Sequence, residues 1–336
     1  MKKHESPKTA ALLGEHAIIE LMQKHFEPMP DVAIPFGDDV SALPLGKGEV
    51  AVLKADMLVG KTDIPCGMSL WQATRKAVVM NISDFASKGA EPMAVMVSLG
   101  LPAGLGQTDL EALAKGLNAG AREYGAYVVG GDTNQTSDLI VSVHVYGTSK
   151  REGLMLRRGA KAGDILAVTG QFGRSAAGLQ LLLGKSVKVP EESRKALVDA
   201  VCLPHARLRE GRALRASGAV SACMDSSDGL AWCLHELATA SGVGFVVSQL
   251  PVADEARQFA ALNELDAATL ALHGGEEYEL VLTVKPQMWA AAEAAVEAVG
   301  GKLLRIGEAT SNNQVLLCRD GEKTKIEAQG YEHFKT

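Results

Sequence analysis

A short acidic turn joins a predicted strand to a predicted helix in the C-terminal half of the chain. Residues 224–230 form the turn, with Asp225 and Asp228 three positions apart; residues 219–223 read as the strand and residues 230–240 as the helix. Carboxylates bind Mg²⁺ together with phosphate oxygens, and a helix start offers N–H groups and the positive end of its dipole to an anion. The turn therefore indicates a metal–phosphate site, although taken alone it fits an N-capping turn equally well.

Acidic residues occur close to glycine, at the ends of predicted elements, in several other places. Beside Asp225 and Asp228 these are Asp38 and Asp39, Asp56, Asp132, and Glu276 and Glu277, while Asp84 projects from a predicted helix. If these residues converge, their like charges raise one another's pKa unless cations are bound, and Mg²⁺ would resolve that conflict. The alternative is that each is a solvated turn acid, since Asp and Gly are ordinary turn residues.

Composition limits the class of protein. The 336 residues fit two domains of about 150 residues each, and a hydrophobic fraction of 47% is enough for sizeable cores. The net charge of −6 argues against a general nucleic-acid binder. The five cysteines include no C-x-x-C pair, as is typical of unpaired thiols in a reducing cytoplasm. We therefore expect a cytoplasmic protein that binds neither nucleic acid nor membrane.

Predicted strands and helices mix in both halves of the chain, which favours an α/β (α+β) fold of two domains. Capping-box patterns at Ser69-x-x-Gln72 and Thr108-x-x-Glu111 predict two helix starts. The linker at residues 148–163 is basic, and we place the domain boundary there. The expected domains are residues 1–148, for metal and ATP binding and dimerisation, and residues 149–336, a C-terminal α/β domain.

Several common catalytic motifs are absent from the sequence. It contains no G-x-x-x-x-G-K-[ST] phosphate loop and no G-x-S-x-G nucleophile turn. Its eight histidines show no spacing typical of metal ligands. The chain is therefore not a P-loop protein, although a local basic patch for a phosphorylated ligand is still allowed.

Seven ordered motifs together make the sequence resemble the thiamine-monophosphate kinase family, within the aminoimidazole-ribonucleotide synthetase-like superfamily and closest to its archaeal-type members. The motifs are Pro35-Phe36-Gly37-Asp38-Asp39, Ala55-Asp56-Met57-Leu58-Val59, Asn81-Ile82-Ser83-Asp84-Phe85-Ala86, Gly130-Gly131-Asp132-Thr133, residues 157–164, residues 225–230 and residues 274–280. The resemblance covers about residues 14–334.

The resemblance implies a homodimer whose N-terminal sheets pair into a shared barrel, with a C-terminal α/β domain covering an ATP cleft. It implies transfer of the γ-phosphoryl group of ATP to thiamine monophosphate, giving thiamine diphosphate. The ligands implied for several Mg²⁺ ions are Asp39, Asp56, Asp84, Asp132, Asp225 and Asp228. Contacts to ATP are implied for Gly131, Asp132, Arg157 and Ser227, and contacts to the acceptor for Asp63 and Glu276.

Such a reaction needs alignment and charge neutralisation more than a side-chain base, because the incoming phosphate is already ionised. We therefore expect no catalytic base. The chain departs from the family pattern at Ala55, where the family usually has Thr, and at Asp63 and Ala328, where bacterial members carry His and Trp.

Two other readings remain open. One is a kinase of the same superfamily acting on another small molecule, such as the alcohol α-ribazole, with Asp63 as general base. The other is a non-catalytic nucleotide-binding relative. The many acids in glycine turns argue against it, because a protein without chemistry does not need them.

Overall fold

The computed structural model describes residues 9–184, 187–319 and 321–334. Its strands form two separate sheets, one of five strands from the N-terminal half and one of seven strands from the C-terminal half. Helices pack against both sheets. The mixed α/β organisation expected from the sequence is therefore confirmed.

The N-terminal sheet has the strand order β1-β2-β5-β3-β4. Its neighbours are antiparallel except for β3 and β4, which run parallel. The strands are β1 (Ser41–Gly46), β2 (Glu49–Val59), β3 (Glu91–Leu101), β4 (Tyr127–Gln135) and β5 (Ile140–Lys150). The helices of this half are α1 (Ala10–Leu13), α2 (Glu15–Gln23), α3 (Gly60–Asp63), α4 (Leu70–Lys88) and α5 (Gln107–Glu123).

The C-terminal sheet has the order β12-β11-β8-β10-β6-β9-β7. Its strands are β6 (Ile165–Val168), β7 (Val220–Asp225), β8 (Gly244–Val247), β9 (Leu280–Val284), β10 (Leu304–Thr310), β11 (Val315–Arg319) and β12 (Glu322–Lys325). The helices are α6 (Arg174–Leu182), α7 (Glu191–Cys202), α8 (Leu208–Ser217), α9 (Leu230–Ser241), α10 (Asp254–Leu262), α11 (Ala267–His273) and α12 (Trp289–Ala298), with a 3₁₀ turn at Pro286–Met288.

Helix α4 lies between the two halves, in contact with the inner face of the N-terminal sheet, with α5, and with α8 and β7 of the C-terminal half. The predicted capping box starts it: Ser69 Oγ accepts from the Gln72 N–H, and Gln72 accepts from the Ser69 N–H. Gly89 ends it in the left-handed conformation, with φ of 62°. Helix α5 approaches closely because Gly116 lacks a Cβ, which would lie 2.3 Å from the Trp71 carbonyl oxygen.

The predicted start of α5 is wrong. The helix begins at Gln107 rather than after Thr108, and Asp109, not Glu111, accepts from the N–H of the capping residue, Gly106. Glu111 instead pairs with Lys115 on the exposed surface. Asp109 and Glu111 are both acids close to the helix start, and the sequence pattern assigned the capping contact to Glu111 instead of Asp109.

Strand alternation gives the N-terminal sheet two different faces. On β5, Val141, Val143 and Val145 are buried, whereas His144 and Tyr146 are exposed on the opposite face. That outer face is apolar although it is exposed, and its residues include Leu53, Met93, Met96 and Tyr146. Within the described part of the chain, no helix has the length and apolarity that a membrane crossing requires.

Candidate active site

Three aspartates from three different elements meet beneath α4. Asp39 precedes β1, Asp84 projects from α4, and Asp225 ends β7. Each is buried, and one carboxylate oxygen of each lies within 4.8 Å of the others. This group of aspartates is called the acidic cluster below. The cluster exists because α4 lies between the two halves, so that its polar face connects both sheets.

Asp39 is surrounded by cations. Its carboxylate lies 2.9 Å from Lys88 Nζ and 2.6 Å from Arg157 Nε, and the Ser87 hydroxyl donates to it at 2.5 Å. Burial acts to raise the pKa of Asp39, but the charges of Lys88 and Arg157 outweigh it and hold the pKa well below its usual range. Asp39 is therefore ionised and fixed in orientation.

Asp84 and Asp56 share one lysine. Lys54 Nζ lies 3.1 Å from Asp84 Oδ2 and 3.3 Å from Asp56 Oδ1. Burial raises the pKa of Asp84 well above its usual value, with Lys54 acting against this and Asp225 and Asp56 adding to it. Asp56 thus joins the acidic cluster through Lys54.

The negative charges of Asp225 and Asp228 are less completely neutralised by neighbouring groups than that of Asp39. The Ser83 hydroxyl donates to Asp225 at 2.7 Å, and burial, with the charge of Asp39, raises the pKa of Asp225 to about 7. Burial and the neighbouring Glu15 raise the pKa of Asp228 to about 6. A bound divalent cation would stabilise the ionised forms of both groups.

The acidic cluster suits a hard divalent cation. All its donors are carboxylate oxygens, which Mg²⁺ prefers. Asn81 lies three residues before Asp84, on the same face of α4, and its buried Oδ1 has no hydrogen-bond partner. Such an unpartnered oxygen is costly unless a ligand or water completes it. Mg²⁺ therefore fits the residues present.

A cavity of about 640 Å³ opens beside the acidic cluster. It is lined by residues from both halves, among them Asp63, Ser227, Asp228, Glu276, Tyr278 and Tyr331. Burial raises the pKa of the Tyr278 hydroxyl, and the charges of Glu276, Asp56, Asp225 and Asp228 add to this effect. The carboxylates of Asp56, Asp225 and Asp228 are thus close enough to the cavity wall to affect the pKa of Tyr278.

Glu276 is held against the cavity by a buried lysine. Lys76 Nζ, with a side chain only 1% exposed, lies 2.6 Å from Glu276 Oε1. Glu276 has a φ of 62°, and its N–H donates to the Ser227 carbonyl at 2.6 Å. The strained backbone and the ion pair together fix the carboxylate between the acidic turn and the cavity.

The remaining acids of this segment have structural contacts. Glu277 accepts from the N–H groups of Gly173 and Ser175 at the start of α6. Glu279 forms a two-pronged ion pair with Arg207. Of the Glu-rich run, only Glu276 therefore lines the cavity.

Two predicted ATP ligands lie away from the acidic cluster. Gly131 and Asp132 are exposed on β4, the edge strand, where Gly131 is opposite Val97 and Asp132 is opposite Ser98 of β3.

Asp63 lines the cavity, and its Oδ2 accepts from the Val59 N–H at 2.7 Å. Ala55 lies on the outer face of β2, opposite His144 of β5.

Sequence reasoning missed the three lysines Lys54, Lys76 and Lys88. One of them had a detectable signal: Lys54 shares a strand face with its partner Asp56. Their partners on other elements could not be identified from spacing.

Comparison with known proteins places these features in a family. Residues 37–149 match the N-terminal domain, and residues 161–317 the C-terminal domain, of AIR synthase related proteins. The thiamine-monophosphate kinase of Pyrococcus abyssi is 35% identical over 324 residues, covering 96% of each chain. That of Nitrosopumilus maritimus is 33% identical, covering 96% of this chain and 99% of its own. The chain belongs to the thiamine-monophosphate kinase family.

A solved structure of this family, described as "AaThiL complexed with AMPPCP and TMP", superposes with a TM-score of 0.84 at 27% identity. The superposition covers 98% of this chain and 100% of the other. Family membership and the two-domain fold inferred from the motifs are thus confirmed. The boundary between residues 148 and 149 stays a prediction, and its outer limits at residues 1 and 336 lie outside the described residues.

Proposed function

We propose that this thiamine-monophosphate kinase family member transfers the γ-phosphoryl group of ATP to the phosphate of thiamine monophosphate, giving thiamine diphosphate and ADP. The observation that carries the proposal is a buried acidic cluster whose Asp225 belongs to the same acidic turn as Ser227 and Asp228, which line a cavity of about 640 Å³. Relatives that cover nearly the whole chain are named thiamine-monophosphate kinases, and the superposed structure contains AMPPCP and TMP.

Asp39, Asp56, Asp84, Asp132, Asp225 and Asp228 are the proposed ligands of several Mg²⁺ ions. The ions would neutralise the phosphate charges and align the two substrates. The three acids of the cluster are held by Ser83, Ser87, Lys54, Lys88 and Arg157, so their oxygens are oriented before substrate binds. Such preorganisation is the main protein contribution to phosphoryl transfer.

ATP is proposed to bind at Gly131, Asp132, Arg157 and Ser227. Arg157 lines a second cavity of about 220 Å³, together with Phe36 and Asp38. Its guanidinium also contacts Asp39 and Glu236, so it connects that cavity to the acidic cluster. This position supports a contact between Arg157 and the phosphates of ATP.

The acceptor is proposed to occupy the larger cavity, in contact with Asp63 and Glu276. Thiamine monophosphate carries a positively charged thiazolium ring, which the carboxylates of this cavity would attract. Its phosphate would then point towards Asp228 and the acidic cluster. One phosphate oxygen attacks the γ-phosphorus, the bond from that phosphorus to the bridging oxygen breaks, and ADP leaves. No side-chain base is required.

The protein is further proposed to act as a homodimer in the cytoplasm. The exposed apolar outer face of the N-terminal sheet is a surface that a second copy would cover, in keeping with a shared barrel. The five cysteines are free thiols, and three of them, Cys202, Cys223 and Cys233, are buried, as is usual in a reducing compartment that also supplies ATP.

The test is an acceptor panel. Purified protein with ATP and MgCl₂ is offered thiamine monophosphate, thiamine or α-ribazole, and products are separated by chromatography. We expect thiamine diphosphate from thiamine monophosphate alone, with Asp225→Asn reducing the rate by about 100-fold or more. Asp254→Asn, an exposed acid on α10, is the matched control. Turnover with the alcohol but not with thiamine monophosphate would overturn the acceptor assignment.

A further inference from the structure

Lys54 lies inside the proposed metal site. It is on the inner face of β2, two residues before Asp56, and its side chain is 20% exposed. Its ammonium lies between Asp84 and Asp56, at 3.1 and 3.3 Å. Burial would lower the pKa of Lys54, but Asp84, Asp56 and Asp225 raise it well above its usual value. Lys54 is therefore a positive charge between two proposed ligands.

Cations are unevenly distributed over the acidic cluster. Asp39 contacts Lys88 and Arg157, and Asp84 contacts Lys54. Among the described residues, no lysine or arginine nitrogen lies within 4.0 Å of the Asp225 carboxylate. One side of the cluster is thus already neutralised by the chain itself, while the side at Asp225 is not.

We propose that Lys54 is a tethered cation that occupies one cation position of the acidic cluster and competes with divalent metal for Asp84 and Asp56. The proposal rests on the proposed metal site but concerns this chain's own control of metal occupancy. A lysine suits this role because its ammonium is a compact charge on a flexible stem, which can move aside when a divalent ion with higher charge enters. An arginine would keep the charge but not the compact geometry.

Competition predicts opposite effects of one substitution under two conditions. Without metal, Lys54→Met leaves Asp84 and Asp56 as unneutralised neighbours, so the melting temperature should fall below that of the wild type. With Mg²⁺, the competitor is gone, so the metal should bind about tenfold more tightly because one opposing charge has been removed. The increase in melting temperature on adding Mg²⁺ should therefore be larger in Lys54→Met than in the wild type.

The experiment uses the full-length protein without ATP or acceptor. Melting temperature is recorded over a MgCl₂ titration against a chelator baseline, and free Mn²⁺ is followed by electron paramagnetic resonance to give the dissociation constant. Lys115→Met is the matched control, because it removes a lysine–carboxylate pair at 3.3 Å on the exposed surface of α5. Lys54→Arg, which keeps the charge, should restore metal-free stability and wild-type or weaker metal binding.

Each outcome decides the question. Tighter Mn²⁺ binding in Lys54→Met, with wild-type binding in Lys115→Met, supports the proposal. Equal or weaker binding in Lys54→Met overturns it and leaves the kinase assignment intact. Absence of divalent-ion binding to the wild type would instead refute the metal site on which the proposed function depends. If Lys54→Met does not fold, Lys54→Gln, which keeps a polar group of similar length, undergoes the same two measurements.

Discussion

Replacing one partner of the Lys76–Glu276 ion pair should cost far more stability than replacing the other. The pair is 2.6 Å long, but Lys76 has a side chain 1% exposed and Glu276 one that is 33% exposed. After Glu276→Gln, Lys76 remains charged in a site that water does not reach. After Lys76→Met, Glu276 can still turn to solvent.

The magnitude follows from this asymmetry. Removing one partner of a fully buried pair lowers the free energy of unfolding by about 3–5 kcal/mol. Glu276 is partly exposed and Gln keeps an amide oxygen, so we expect a loss of about 2 kcal/mol for Glu276→Gln. For Lys76→Met we expect less than about 1 kcal/mol, because the exposed carboxylate rehydrates. The double variant should recover most of the stability lost in Glu276→Gln.

Substrate binding should not recover with stability. If the Glu276 carboxylate attracts the thiazolium ring, Glu276→Gln and the double variant should both raise the KM for thiamine monophosphate by about tenfold, with little change in the KM for ATP. Urea unfolding measures the first effect and steady-state kinetics the second. Glu327→Gln, which breaks an exposed pair with Lys325, is the control. Equal and additive losses from the two single variants would refute the reasoning.

Three other predictions address the fold and the assembly. Burial raises the pKa of Glu277 to about 7, so folding favours its protonated form, and the stability that this group contributes is lost as pH rises through about 7. The free energy of unfolding of the wild type should therefore fall relative to that of Glu277→Gln between about pH 5 and 8, a range set around that value. A difference that stays constant with pH would contradict this prediction. Gly116→Ala should cost about 1–3 kcal/mol by forcing α4 and α5 apart, whereas Gly104→Ala, whose Cβ meets nothing within 4 Å, should be nearly neutral in the same urea unfolding. Met96→Asp on the outer sheet face should give a monomer by light scattering, and Leu262→Asp on α10 should not; a dimer in both would remove the sheet from the interface.

Much of the fold could be predicted because its signals are local. The strand, acidic turn and helix around Asp225 follow from a short apolar run, a glycine and a second apolar run, and the structure has β7 and α9 there. The start of α4 follows from one capping box, and its end from Gly89. The proximity of Asp39, Asp84 and Asp225 was expected only because so many acidic turns needed a common explanation.

The ion pairs of Lys76 and Lys88 could not be predicted, because their partners are far away in the sequence. Lys88 looks like the solvent-exposed last residue of a helix, yet it is fully buried and contacts Asp38, Asp39 and the Cys223 carbonyl. Lys76 likewise pairs with a residue 200 positions away, Glu276. Burial of such lysines depends on α4 lying between two sheets, which no local pattern reports.

The central claim is direct phosphoryl transfer at the acidic cluster, and ³¹P NMR of the purified protein with Mg-ATP and thiamine monophosphate tests it most directly. The account predicts that the resonance of thiamine monophosphate is replaced by the two coupled resonances of thiamine diphosphate while ADP accumulates, and that Asp225→Ala abolishes both changes. Unchanged ATP, ADP released without a coupled diphosphate, or full activity in Asp225→Ala would contradict the account.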